Sequence, residues 1–209
     1  MPRLWILIFT LVLLWSGWQP KDYMTWGLEV APAVIALGLL LATFKRFPLT
    51  PLCLWLILVH AVILMVGGHY TYAEVPLFDS IAHWLGQSRN NYDKLGHLAQ
   101  GFIPAIVARE IIIRRQLANG RFWIHLFTLS ICLAFSAFYE LIEWWVALLS
   151  GESAEAFLGT QGYVWDTQSD MAMALLGALL ALVTLHGYHD RQIRRLIQSD
   201  LSSREPGEP

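Results

Sequence analysis

The chain has 209 residues, 56% of them apolar and 14% charged, against roughly 45–50% and about 25% in soluble domains. Ten Trp, ten Phe and seven Tyr add apolar surface that a water-soluble fold of this size has no room to hide. The formal net charge of −2 brings no basic excess, which excludes a nucleic-acid partner and leaves the lipid bilayer as the solvent to reason with.

A membrane span needs about 20 mainly apolar residues, and six stretches are expected to supply one. The first, residues 4–18 (LWILIFTLVLLWSGW), is short and follows Arg3. Its flank WSGWQP lacks a small-x-small cleavage site, so it reads as an uncleaved anchor and not as a signal peptide. The second covers 24–44, with Pro32 inside it, and the third covers 52–68 after KRFPLTP. Residues 76–85 then place Leu77, Phe78, Ile81, Trp84 and Leu85 near helical spacing, which predicts a short amphipathic helix in the membrane interface. His69, Tyr70, Tyr72 and His83 nearby read as interfacial anchors, a lid being the alternative. The fourth span is 93–113, with Pro104 as an expected kink; the fifth is 122–149 and the sixth 167–187. The stretch 151–165 is Gly-rich and irregular, and 196–209 forms a polar tail expected to be disordered. Cys53 and Cys132 lie in apolar runs without CxxC spacing and read as buried free thiols.

Lys and Arg in the short loops set the orientation. Arg3, Lys45, Arg46, Arg114, Arg115, Arg121, Arg191, Arg194 and Arg195 fall on one side, while Lys21, Arg89 and the acids Glu74, Asp79, Glu152 and Glu155 fall on the other. The expected architecture is therefore an all-α, polytopic bundle of six transmembrane helices over residues 1–195, with both termini cytoplasmic.

Three of these spans carry ionisable pairs at one-turn spacing: Asp93 with His97, Glu140 with Glu143, and Asp166 with Asp170. Spacings of three or four put each pair on one helix face, and the topology brings all three to the outer end of the bundle. Asp93 and Asp166 also read as helix caps, with Lys94 snorkelling to the head groups. Glu140 and Glu143 lie too far from either end of their span for that reading, and intramembrane acids point to function by default. Arg109 and Glu110, near the other end of span four, read as an interfacial pair. Five carboxylates against Lys94, with His97 neutral, leave a charge of −4 that low dielectric does not tolerate. Either carboxyls take up protons or a cation sits among them. Imidazole with oxygen ligands suits a divalent metal such as Zn, Mn or Fe; the metal-ligand candidates are Asp93, His97, Glu143, Asp166 and Asp170, although no HExxH motif is present.

YDKLGH at 92–97, FYELIEWW at 138–145 and GTQGYVWDTQSDM at 159–171 together resemble the YjdF-type bacterial inner-membrane proteins over nearly the whole chain. That resemblance implies a polytopic inner-membrane protein and carries no activity with it. More distantly, the chain is similar to VanZ-like membrane proteins, some of them linked to glycopeptide resistance. Asp93, Lys94 and His97 match their Asp-Lys-x-x-His element, Glu140 their later acid, and Asp166 with Asp170 their last. Glu143 stands where those proteins carry Gln, and no basic residue directly precedes Asp166.

Three functions fit these observations. The first is an enzyme on a lipid-linked or envelope substrate, with Glu140, Glu143 and His97 catalytic and Lys94 or Arg89 holding an anionic group. The second is a structural or accessory subunit whose polar cluster fastens three helices. The third is a transporter, which calls for acids strung through the bilayer and not gathered at one side.

Overall fold

The computed structural model describes residues 2–150 and 163–202, and these contain helices and connections without a strand. Seven helices follow in order: α1 (Arg3–Gly17), α2 (Tyr23–Thr43), α3 (Pro51–His69), α4 (Pro76–Trp84), α5 (Tyr92–Arg114), α6 (Arg121–Ser150) and α7 (Asp166–Ser202). Most of the stretch 151–165 lies outside the described residues. Local chemistry sets several starts: the Asp22 carboxylate accepts the Thr25 N–H at 2.6 Å, and Thr50 caps α3 just before Pro51, the usual order of a capping hydroxyl and a proline at the first helical position.

Five helices, α2, α3, α5, α6 and α7, are long and apolar enough to cross a membrane. The 15-residue α1 spans ~22 Å at 1.5 Å per residue, less than the ~30 Å of a hydrocarbon core. It nevertheless belongs to the bundle: Trp5 and Phe9 are buried among Val30, Ala33, Leu58 and Met65, and the Trp5 indole donates to the Leu54 carbonyl at 2.7 Å. The amphipathic helix expected at 76–85 is α4. It turns Ala82 inward and leaves Leu77 and Trp84 exposed, and Phe78 meets the Tyr92 ring edge-on at 5.0 Å.

The last helix runs on to Ser202, well past the expected end at 187, and takes in the start of the expected tail. Hydropathy marks where a helix leaves hydrocarbon, not where its hydrogen bonding stops, and nothing in YHDRQIRRLIQ breaks a helix. The 37 residues of α7 span ~55 Å, so its final turns project beyond a bilayer.

The closest approach in the bundle is α5 against α7, where small residues let backbones touch. A Cβ added to Gly177 would lie 2.1 Å from the Leu98 carbonyl oxygen. Beyond that crossing Ala105, Ile106, Ala178 and Ala181 are fully buried, with Cys53 and Cys132 as buried free thiols in the same cluster. The mid-depth of the α5–α7 pair is therefore dry and apolar.

At the far end, Glu110 does not pair with Arg109. Its carboxylate accepts from the Thr50 N–H and hydroxyl, the Cys53 thiol, His189 Nε2 and Arg114 Nη1, at 2.6–3.0 Å. Arg109 reaches α7 instead, at Asp190 Oδ1 (2.5 Å) and His189 Nδ1 (3.2 Å). This node ties the start of α3 to α5 and α7.

Candidate functional site

Opposite that node, the first two turns of α5 and α7, the C-terminal half of α6 and Arg89 in the connection before α5 bring together the site residues expected from the sequence. Asp93 sits one residue inside α5, whose cap position is Asn91, so it is not the cap and its carboxylate is free for the site. Two halves can be distinguished by charge.

In the cationic half, Asp166 accepts from Arg89 Nη1 at 2.9 Å, Arg89 Nη2 at 3.1 Å and Lys94 Nζ at 2.8 Å. Lys94 also donates to Asp170 Oδ1 at 2.5 Å and Ser169 Oγ at 2.6 Å. Burial works against the Arg89 charge, but Asp166, Asp93 and Asp170 outweigh it and hold its guanidinium above the usual arginine range. The residues expected to hold an anionic substrate are thus engaged with Asp166, which in turn is tied up by two cations.

The acidic half centres on His97, 5% exposed. Its Nδ1 lies 3.1 Å from Gln100 Oε1; a carbonyl oxygen only accepts, so Nδ1 carries the proton. The other ring nitrogen, Nε2, then faces Asp93 Oδ1 at 3.3 Å, Glu140 Oε1 at 3.8 Å and Asp170 Oδ2 at 3.8 Å. Three carboxylate oxygens from three helices around one ring nitrogen call for positive charge at the centre, carried by a proton on Nε2 or by a bound cation. Glu140 is 7% exposed, and its Oε1 has no hydrogen-bond partner among the described residues. One turn below it on α6, the Ser136 hydroxyl is buried and likewise without a partner. Two ligand groupings arise from this geometry, Asp93–His97–Asp170 and His97–Glu140–Glu143, the donor atoms of each lying within 4.8 Å of one another.

Sequence reasoning missed a fourth helix. Glu29 of α2 accepts the Tyr139 hydroxyl at 2.9 Å, and Tyr72 faces the same carboxylate. The signal was present: an acid inside the apolar run 24–44, the same criterion that singled out Glu140 and Glu143. Tyr72, read as an interfacial anchor, is in fact 7% exposed. Thr71 and Tyr72 both adopt left-handed backbone (φ 57° and 56°), a strained choice for non-glycine residues. Its ring fills the space of two absent side chains, with a Cβ on Gly67 or Gly96 falling 2.2 or 3.0 Å from it.

Cys53, Glu110 and His189 at the opposite end also converge within 4.8 Å, but with a different character. Arg109 only donates, so His189 Nδ1 must accept and Nε2 carries the proton that Glu110 receives. Every group in that trio is satisfied by its neighbours, whereas the His97 centre is not.

Five spanning helices around a buried acidic and histidine cluster define a polytopic membrane protein, and comparison with known proteins agrees. The chain belongs to the family described as predicted membrane protein DUF2238, whose model matches residues 1–191. It is similar to the inner membrane protein YjdF of Escherichia coli strain K12, 54% identical over 189 residues and 90% of each chain. The protein is thus a multi-pass inner-membrane protein, and the YjdF-type resemblance is borne out. The comparisons do not support the VanZ-like likeness, and no solved structure matches the chain.

Proposed function

We propose that the chain is a metal-dependent membrane enzyme whose site opens to the outer leaflet and acts on a lipid-linked or cell-envelope substrate. The observation that carries this reading is His97 Nε2, faced by Asp93, Glu140 and Asp170 from three helices, with the buried Glu140 Oε1 lacking a hydrogen-bond partner among the described residues. A divalent cation satisfies all four groups, and Gln100 on Nδ1 is the kind of outer partner that orients a histidine ligand. Asp166 serves the site indirectly by holding Lys94 and Arg89. Those two cations, at the mouth, are suited to an anionic headgroup that competes for them. Glu140 or Glu143 is placed to take a proton from a substrate hydroxyl or a bound water.

The Lys/Arg distribution supports the orientation, with both termini cytoplasmic and α1 inserted as a sixth, short span. Transport is the weaker reading, because the dry Gly101–Ala181 zone of α5 and α7 offers no polar steps between the two ends.

The test compares lipid-linked and cell-wall precursors in cells with wild type, with Glu140→Gln, and without the protein. The expected result is a precursor that accumulates in its absence and is cleared by wild type only. Identical profiles in all three strains would overturn the enzymatic reading, as would full clearance by Glu140→Gln. Cysteine accessibility at residue 87 and residue 199 tests the orientation: labelling of Gln87→Cys from outside and of Ser199→Cys from inside is expected.

A further inference from the structure

Helices α1 and α2 both pack on α3, and near one end they are tied to each other where the Trp26 indole donates to Ser16 Oγ at 3.2 Å. Counted from that tie, α1 runs 13 residues back to Arg3, whereas α2 runs 17 residues on to Thr43. The four extra residues carry α2 ~6 Å further along the bundle. Near the start of α1 a groove of about 410 Å³ opens between the two helices, lined by Ile6, Leu41, Ala42, Phe44, Lys45 and Arg46. Ligand sites commonly fall in the range of about 300–1,000 Å³.

Two chemistries meet in this groove. Ile6, Leu41 and Phe44 give it exposed apolar walls, while Lys45 and Arg46 are exposed at its rim. Other cations of this end are committed, Arg109 to Asp190 and Arg114 to Glu110. Lys45 and Arg46 make no ion pair among the described residues. The first 50 residues contain two acids, Asp22 and Glu29, and both lie in or before the first third of α2, away from the groove. The turn that presents the two cations is held in place. The N–H groups of Arg46 and Phe47 donate to the Thr43 carbonyl at 2.9 and 2.8 Å. The Arg114 guanidinium lies 4.0 Å from the centre of the Phe47 ring, and its Nη1 donates to the Pro48 carbonyl at 2.6 Å. The Glu110 node thereby fixes where Lys45 and Arg46 stand.

We infer that the groove binds an anionic phospholipid, its phosphate between Lys45 and Arg46 and one acyl chain along Ile6, Leu41 and Phe44. A guanidinium forks two N–H groups onto phosphate oxygens and an ammonium adds a point charge. Basic recesses between membrane helices select such headgroups. A zwitterionic lipid brings the same chain but also a cation that this rim repels, and a soluble phosphate brings the charge without the chain. The bound lipid fills the step that the short α1 leaves and joins α1 to α2 at their untied end. This site is separate from the His97 centre and independent of the enzymatic reading.

The experiment releases the full chain from nanodiscs of equal parts phosphatidylglycerol and phosphatidylethanolamine and reads retained lipid by native mass spectrometry. Phosphatidylglycerol is expected to stay bound at collision energies that strip phosphatidylethanolamine. The double variant Lys45→Gln/Arg46→Gln should weaken its retention on the order of tenfold. Ile6→Trp, which fills the groove and keeps both charges, should weaken it as well. Arg191→Gln/Arg194→Gln removes the same charge from exposed positions of α7 and should leave retention intact. Equal weakening by the two double variants would overturn the site in favour of diffuse charge. Equal retention of both lipids, or of neither, would overturn it too. Displacement by millimolar inorganic phosphate would show a bare anion contact in place of a lipid site, and a dimer that Ile6→Trp dissolves would assign the groove to a second copy of the chain. Lipid-free melting curves that match wild type show that each variant is folded.

Discussion

Gly101 of α5 and Ala174 of α7 touch through their backbones: a Cβ on Gly101 would sit 1.7 Å from the Ala174 carbonyl oxygen. No rotamer change relieves such an overlap, so Gly101→Ala must push the helices apart. Overpacking of this kind costs about 1–3 kcal/mol. The displacement also separates His97 from Asp170, which sit one turn further along the same two helices. Gly101→Ala is therefore expected to lower thermal stability in detergent and weaken Mn2+ binding together. Gly38→Ala, whose Cβ meets nothing within 4 Å, should do neither. A Gly101→Ala protein with wild-type melting and metal affinity would show that this crossing does not position the site.

How much of this was legible beforehand differs by element. Five long spans and the α4 helix were readable because a run of apolar residues, or its absence, is a local property. The convergence of Asp93, His97, Glu140, Glu143, Asp166 and Asp170 was also readable, since pairs at one-turn spacing and a fixed topology put them at one end. Glu29 carried only part of that signal, an acid inside an apolar run with no second ionisable group at one-turn spacing. The Glu110 node was hidden for a different reason. Its partners Thr50, Cys53 and His189 come from two segments up to 139 positions apart in the chain, and adjacency in sequence suggested Arg109 instead. The Lys94 and Arg89 pairing with Asp166 depends on side-chain reach, which no periodicity encodes.

The Glu110 node makes a separate prediction. Its carboxylate receives protons from five donors, and the Arg114 charge it balances is itself buried at 7% side-chain exposure. Glu110→Gln substitutes a donor into a ring of donors and strands that guanidinium, a change that typically costs about 3–5 kcal/mol. The node sits some thirteen residues, ~20 Å, from His97. Glu110→Gln is expected to reduce melting temperature while leaving the number of bound ions unchanged in the folded fraction. In a Cys132→Ala background, Cys53 should become reactive toward a maleimide that the parent excludes. Equal labelling of both would count against the node as a clamp.

Lys94 gives the prediction whose sign most sharply separates a metal site from a static fastener. Its ammonium bonds Asp166 and Asp170 at 2.8 and 2.5 Å, with 18% of its side chain exposed. If the cluster only locks helices, Lys94→Met removes a cation from carboxylates that stay where they are. Stability then falls, on the order of 3 kcal/mol by the usual cost of breaking a buried pair, and added metal does not change the difference. If cations occupy the His97 centre, the same substitution frees Asp170 and removes a positive charge from its edge, so the attraction for a divalent ion rises. Metal-free Lys94→Met should therefore melt lower than metal-free wild type, yet gain more stability from saturating Mn2+, because ligand that binds only the folded state stabilises in proportion to its affinity. The measurement is a pair of melting curves with and without Mn2+ for each protein. A gap between variant and wild type that is equal in both conditions would favour the fastener.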